Sequence, residues 1–227
     1  MNTQPSADTA LAHVRRLLTE RWPEACRQTR AAARDVFHTG ISGLDALLPG
    51  GGLPFGSWIE ITGGTASGKT SLLLALLAQL AAGERTLYLD FPGTFYPVAA
   101  TAAGVDLNSI LVAHPANLHQ GVHIAEHLLT SGLITVLVFD LAEQRTRLPG
   151  ALAHRLRQQV LRGSVLALFL TEGNGGIIGQ SMVALRLRVR RVALSRFEID
   201  VVRSRISREG TCIPWAPSYR RHGCDDA

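Results

Sequence analysis

The stretch that most constrains this chain runs from Ile59 to Leu77 and reads I-E-I-T-G-G-T-A-S-G-K-T-S-L-L-L-A-L-L. An apolar strand, Trp58 to Thr62, leads into a glycine-rich turn and then into a leucine-rich helix. Gly63, Gly68, Lys69 and Thr70 stand at the spacing GxxxxGK[ST]. Strand, turn and helix in that order are the setting a phosphate-binding loop requires. Glycines let successive backbone N–H groups curl around an anion, and a helix beginning near Gly68 points the positive end of its dipole at the same place. On this reading Gly63, Gly64, Thr65, Ala66, Ser67, Gly68, Lys69, Thr70 and Ser71 form the phosphate cradle of a bound nucleotide. The Lys69 ammonium reaches the β- and γ-phosphates, and the Thr70 hydroxyl is a ligand for Mg²⁺. Lysine usage supports the assignment: of 23 Lys and Arg residues, 22 are Arg and the one Lys is Lys69. A chain that uses Arg elsewhere keeps Lys where a compact ammonium fits between phosphates and a planar fork does not.

At 227 residues and 46% apolar content the chain has material for one sizeable domain with additions. No apolar run approaches the roughly 20 residues of a membrane span. The N-terminus has no basic segment followed by an apolar one, so a cytoplasmic protein without a secretory signal is expected. Cys26, Cys212 and Cys224 are odd in number and far apart, which fits reduced thiols better than a disulfide framework or a zinc site. The net charge of +5 is uneven: residues 1–180 carry 13 basic and 13 acidic side chains, and residues 181–227 carry 10 and 5. A basic end is the electrostatic footprint of nucleic acid, a nucleotide phosphate or an acidic partner, and equally of a solvated charged face.

Along the chain, Leu11, Val14, Leu17 and Leu18 recur at helical spacing between Thr9 and Arg21, and Cys26 to Arg34 is a second helical candidate. Beyond the phosphate loop the pattern predicts strands over Arg85–Asp90, Ile110–His114, Thr135–Asp140 and Ser164–Thr171. Helices are expected over Gln120–Leu129 and Leu152–Leu161, and a final antiparallel pair over Met182–Val192 and Phe197–Ile206. Strands alternating with helices imply an α/β fold whose mostly parallel twisted sheet is flanked by helices, with ligand at the carboxyl ends of the strands. Asp140 ends an apolar strand about 70 residues after the phosphate loop, where a carboxylate holds Mg²⁺ through water.

The run Thr39-Gly40-Ile41-Ser42-Gly43-Leu44-Asp45-Ala46-Leu47-Leu48, continued by Pro49-Gly50-Gly51-Gly52-Leu53-Pro54-Phe55-Gly56, resembles the TGxxxLDxLLxGGGLPxG stretch that precedes the phosphate loop in the RecA-like recombinase family. The resemblance covers roughly residues 39–208. It implies a RecA-like P-loop core there, a short N-terminal helical arm over 1–38 and a C-terminal tail over 209–227. Leu89-Asp90-Phe91-Pro92-Gly93-Thr94-Phe95-Tyr96-Pro97 aligns with the family segment whose glutamate activates the attacking water, and Pro92 stands in its place. Proline offers no proton acceptor, so ATP binding with weak hydrolysis is expected. Glu143 and Glu172 are candidate replacement bases. The adenine-stacking tyrosine of the family falls at Ala99 and an acidic adenine contact at Tyr96. Glu172 also replaces the glutamine that senses the γ-phosphate. The two loops that contact DNA in recombinases correspond to Glu143–Gly150 and Glu172–Gln180; both are short and the second has no basic residue, which predicts weak or indirect DNA binding. Arg203 and Arg205 match basic residues that reach a neighbouring subunit's nucleotide, a role that needs an oligomer.

Within the superfamily the small size, the Leu/Arg-rich arm, the intact GGTASGKT loop and the lost glutamate are most similar to ImuA, the RecA-like accessory of bacterial mutagenic repair cassettes. That resemblance implies a nucleotide-binding protein of damage-induced translesion synthesis. Its implied partners are RecA and translesion polymerase components, among them an inactive, ImuB-like Y-family homologue. The alternative is a DNA-stimulated ATPase acting as a recombination mediator.

Three features stand outside this scheme. Arg186, Arg188 and Arg190 alternate onto one strand face, as a solvated surface or a binding stripe. His123-Ile124-Ala125-Glu126-His127 matches the zinc-protease pattern HxxEH, but in a helix away from the expected site, where a solvent-facing pair on an ordinary helix is the simpler reading. Thr211 to Arg221 mixes Pro, aromatics and Arg, and reads as either a closing strand or a docking peptide.

Overall fold

Near-continuous apolar runs over 58–63, 86–90, 136–140 and 166–171 build a sheet whose central strands are buried on both faces. The structure, a computed structural model, describes residues 16, 20, 35–142, 147–173, 178–179 and 181–217. The arm helices expected over 9–21 and 26–34, Glu143, most of the loop at 174–180 and the end of the tail from 218 lie outside the described residues. Among those described, β1 (Val36–Phe37) and β2 (Leu53–Pro54) form a small antiparallel pair around the short helix α1 (Ser42–Asp45). The main sheet contains β3 (Trp58–Gly63), β4 (Thr86–Asp90), β5 (Ile110–Ala113), β6 (Val136–Asp140), β7 (Leu166–Glu172), β8 (Leu185–Ala193), β9 (Arg196–Ser204) and β10 (Cys212–Trp215). Their spatial order is β10-β9-β8-β3-β7-β6-β4-β5, parallel from β8 to β5 and antiparallel across β8, β9 and β10. The expected α/β fold with a mostly parallel sheet is the one observed.

Ile59, Ile61, Val138, Leu168, Leu170 and Leu187 point to one face, where helix α2 (Lys69–Leu77) lies. Leu72, Leu73, Leu76 and Leu77 of α2 are 2% exposed or less, each contributing about 1.5–3 kcal/mol by burial. Trp58, Leu87, Leu137, Phe139 and Phe169 point to the other face, under α4 (Leu118–Thr130) and α5 (Gly150–Gly163). α4 buries Leu118, Val122, Ala125 and Leu129 at helical spacing and is capped by Asn117, whose side-chain oxygen accepts from the Gln120 N–H at 2.9 Å. The six-residue helix α3 (Pro97–Ala102) begins with Pro97 at its first position. No described helix is long and apolar enough to cross a membrane.

The TGxxxLD motif is a structural knot. Asp45 Oδ1 accepts from the Thr39 N–H at 2.9 Å and the Thr39 hydroxyl at 2.7 Å, while Oδ2 accepts from the Gly40 N–H at 3.2 Å. These bonds hold Leu44, fully buried, in the same core as α2.

Two open readings are decided at the antiparallel end. Within Thr211 to Arg221, Cys212–Trp215 is β10, paired with β9 in the register Ile213↔Ile199 and Trp215↔Phe197, so the sheet continues past residue 208. The arginine stripe is neither a plain solvated face nor a bare binding stripe. Arg186 is buried and its Nε donates at 2.6 Å to Glu60, itself fully buried on β3, whose other oxygen accepts from the Thr171 hydroxyl at 2.9 Å. Arg190 grips Asp200 with both Nε (2.8 Å) and Nη2 (3.1 Å), and Nη2 also meets Glu198 at 3.0 Å. Parallel pairing of β8 with β3 and antiparallel pairing with β9 set carboxylates beside these guanidinium groups.

Candidate functional site

The phosphate loop is built by the end of β3 and the start of α2. A Cβ on Gly63 would lie 2.5 Å from both the Val189 carbonyl and the Ser67 hydroxyl, so only glycine lets the turn pass beside β8. Gly68 caps α2 with φ +98° in the left-handed region, and a Cβ there would lie 2.5 Å from the ring of Phe197. Lys69 is buried and folds back over the turn, its Nζ donating to the carbonyls of Gly63 (2.9 Å) and Gly64 (2.7 Å). Burial pushes the pKa of this ammonium down, and the carboxylates of Glu172 and Asp140 oppose the shift. Gly64, Thr65, Ala66 and Thr70 are exposed; the Ser67 hydroxyl is buried with no hydrogen-bond partner among the described residues.

Four neighbouring strands deliver their carboxyl ends here. The register Gly63↔Glu172 brings the end of β7 to the loop, where the Thr65 hydroxyl donates to Glu172 Oε1 at 2.8 Å. The Gly173 N–H donates to the Gly63 carbonyl at 3.1 Å and locks the two strand ends together. Asp140 ends β6, in register with Asp90 at the end of β4. Its carboxylate accepts from the Tyr88 hydroxyl at 2.8 Å and the Ala142 N–H at 3.2 Å. Burial holds the Asp140 carboxyl above the usual range despite those two donors. Burial likewise raises the Tyr88 phenol, reinforced by Asp140. Asp90 is buried and shapes the following turn, accepting the N–H groups of Thr94 (3.0 Å) and Phe95 (2.9 Å). Pro92 lies in that turn, half-buried.

These residues fit a nucleotide triphosphate with a hard cation. The partnerless Ser67 hydroxyl, the N–H groups at the start of α2 and a lysine poised on the loop suit phosphate oxygens. Thr70 and Asp140 supply an oxygen-only donor pair of the kind Mg²⁺ takes. Bound there, the cation would neutralise charge on the phosphates.

Other expected residues fall elsewhere. Ala99 is half-buried on α3 against the core, and Tyr96 is 62% exposed just before it. Arg203 lies in β9 opposite Arg186, and the Arg205 guanidinium donates to the Ser181 carbonyl of the same chain. HxxEH sits on α4, away from the loop, as expected. Sequence reasoning missed Tyr88, the Thr65–Glu172 bond and Phe197. Tyr88 was findable, since strand alternation puts it on the face of Asp90; the other two depend on strand order.

Comparison with known proteins accords with this geometry. The RecA N-terminal domain matches residues 23–151. The RecA protein of Acidiphilium cryptum is 31% identical over 207 residues, covering 90% of this chain and 54% of that protein. RecA of Haemophilus ducreyi is 38% identical over 113 residues (49% of this chain, 30% of that protein), and RecA of Cytophaga hutchinsonii 40% over 106 residues (46% and 30%). The chain thus spans about half the length, or less, of the curated relatives it matches. With the matching domain extending over more than half of its residues, and a phosphate loop seated at the strand ends of a mostly parallel sheet, the chain belongs to the RecA N-terminal domain family.

Proposed function

We propose that this protein binds ATP with Mg²⁺ and works as a cytoplasmic, nucleotide-responsive accessory of DNA-damage tolerance, of the ImuA kind, acting through protein contacts. The observation that carries the reading is a complete phosphate loop combined with Pro92 in the turn that Asp90 holds after β4. Gly63 to Ser71 bind and orient the triphosphate, and Thr70 and Asp140 hold the cation. Pro92 leaves the family's water-activating position without a proton acceptor, which removes about 10²–10⁴-fold of rate. The partners that the resemblance implies are RecA and translesion polymerase components, including an ImuB-like homologue. Internal pairing of Arg186 and Arg190 lowers the charge available to a DNA backbone and supports weak or indirect DNA binding.

One observation favours a second reading, a DNA-stimulated ATPase acting as a recombination mediator. The Glu172 carboxylate stands 2.8 Å from the Thr65 hydroxyl, against the phosphate loop, where a general base would act.

The deciding experiment measures nucleotide affinity and steady-state hydrolysis with and without single-stranded DNA, alongside capture assays with RecA and the polymerase components. Saturable ATP binding lost in Lys69→Ala, slow turnover indifferent to DNA and capture of a partner support the accessory reading. Rapid turnover stimulated by DNA and abolished by Glu172→Gln favours the mediator. An unchanged nucleotide affinity in Lys69→Ala refutes both.

A further inference from the structure

Helices α4 and α5 pack side by side, and the groove between them gathers three imidazoles. His123 and His127, one turn apart on α4, stand with ring centroids 4.4 Å apart and planes near perpendicular. His154, exposed on α5, lines the same groove of about 390 Å³, together with Glu126, Thr130, Arg155, Gln158 and Gln159. We propose that His123, His127 and His154 form an interhelical site for a divalent transition-metal ion of the Zn²⁺ class.

Zn²⁺ binds imidazole nitrogen at about 2.0–2.1 Å in tetrahedral array, which asks ligand nitrogens to approach to about 3.4 Å. Imidazoles at i and i+4 on a helix share one face and meet this spacing by small side-chain rotations. The pair on α4 is already in ring contact; as placed, the three imidazoles are not all within ligand distance of one another, and the site requires His154, exposed on the same groove, to change rotamer toward the pair. Water fills the fourth position. Nitrogen ligands select Zn²⁺, Cu²⁺ or Ni²⁺ over Mg²⁺, so the site is chemically distinct from the oxygen donors at Thr70 and Asp140.

The neighbouring carboxylate defines what the site is for. Glu126 is ion-paired with Arg155 of α5, so it is not free to serve as the general base that HxxEH supplies in a protease. That ion pair and the metal bridge the same two helices, and the ion acts as a clip on the α4–α5 layer. The gathering of Glu198, Asp200 and Cys212, whose ligand atoms lie within 4.8 Å of one another, is a poorer candidate because Arg190 already occupies both carboxylates. The inference is independent of the nucleotide reading.

The test titrates the full chain with Zn²⁺ at pH 7.5 under a competing chelator, with Co²⁺ as a spectroscopic reporter. One saturable site per chain is expected, with the intense visible absorption of four-coordinate Co²⁺ and a rise in the thermal midpoint. His123→Ala and His127→Ala should each weaken binding by about 100-fold or more, and His154→Ala by at least about 10-fold, since each removes a ligand. All three side chains face the groove, so the variants should fold and keep their nucleotide affinity. Absence of saturable Zn²⁺ binding overturns the proposal, as does affinity unchanged in His154→Ala or surviving in the His123→Ala/His127→Ala double variant.

Discussion

Replacing Arg186 with methionine keeps the approximate shape of the side chain and strips its charge from a site where the Arg186 side chain is 7% exposed and its partner Glu60 0%. The variant leaves Glu60 with the Thr171 hydroxyl but without its guanidinium. Removing one partner of a buried ion pair costs about 3–5 kcal/mol, because the remaining charge stays desolvated. At this chain length each kcal/mol moves the thermal midpoint by about 2–4 °C, so the fall should be roughly 6–20 °C. Glu60→Leu combined with Arg186→Met removes both charges. The double variant should regain most of the loss, because it removes both desolvated charges and Arg186 Nη2 is itself buried with no hydrogen-bond partner among the described residues. Denaturant unfolding followed by tryptophan fluorescence, to which Trp58, buried against Phe169 with ring centroids 4.7 Å apart, contributes, reads both variants. An Arg186→Met variant within about 1 kcal/mol of the parent, or a double variant no more stable than the single one, refutes the account of this pair as a buried, mutually dependent one.

Gly68→Ala should destabilise the fold by about 2–4 kcal/mol, from left-handed backbone strain and the close approach of Phe197, with Phe197→Leu recovering part of the loss in a double-mutant cycle. Because burial raises the Asp140 carboxyl above its ordinary value of 3.8, the folded state holds that proton more tightly than the unfolded chain, and stability falls as pH rises through the interval above 3.8. Asp140→Asn removes this dependence. Its pH–stability curve from denaturation between about pH 4 and 7 should be flatter than the parent's, while Mg²⁺-dependent nucleotide affinity drops; parallel curves would contradict the shift. Pro92→Glu is expected to raise steady-state ATP hydrolysis by up to about 10²-fold, and a rate that stays at the parent level would show that the turn after β4 does not present residue 92 to the attacking water.

Legibility followed the range of the interaction. The phosphate loop, α2, the parallel strands and Asp140 at the end of β6 were readable because each is written in local spacing: glycines that must turn, leucines that must be buried, a carboxylate at a strand end. Boundaries shifted by only a few residues, as with α4, expected over 120–129 and observed over Leu118–Thr130. The charge of the C-terminal part was the least legible. Ten basic side chains read equally as an anion surface or a solvated face, and two of them, Arg186 and Arg190, are paired with carboxylates of other strands.

By itself the sequence determined the fold class and the strand–glycine turn–helix order of residues 58–77, since backbone conformation at those positions depends on neighbours along the chain. Only the tertiary structure decided which residues face them. Strand order β8-β3-β7-β6 joins Arg186 to Glu60, sets Glu172 beside Thr65, and lays Phe197 on Gly68. Helix packing puts His154 on the same groove as the His123–His127 pair. Each of these contacts joins segments far apart in the chain, through register and packing angle, and no local spacing encodes which of many polar partners a buried charge will meet.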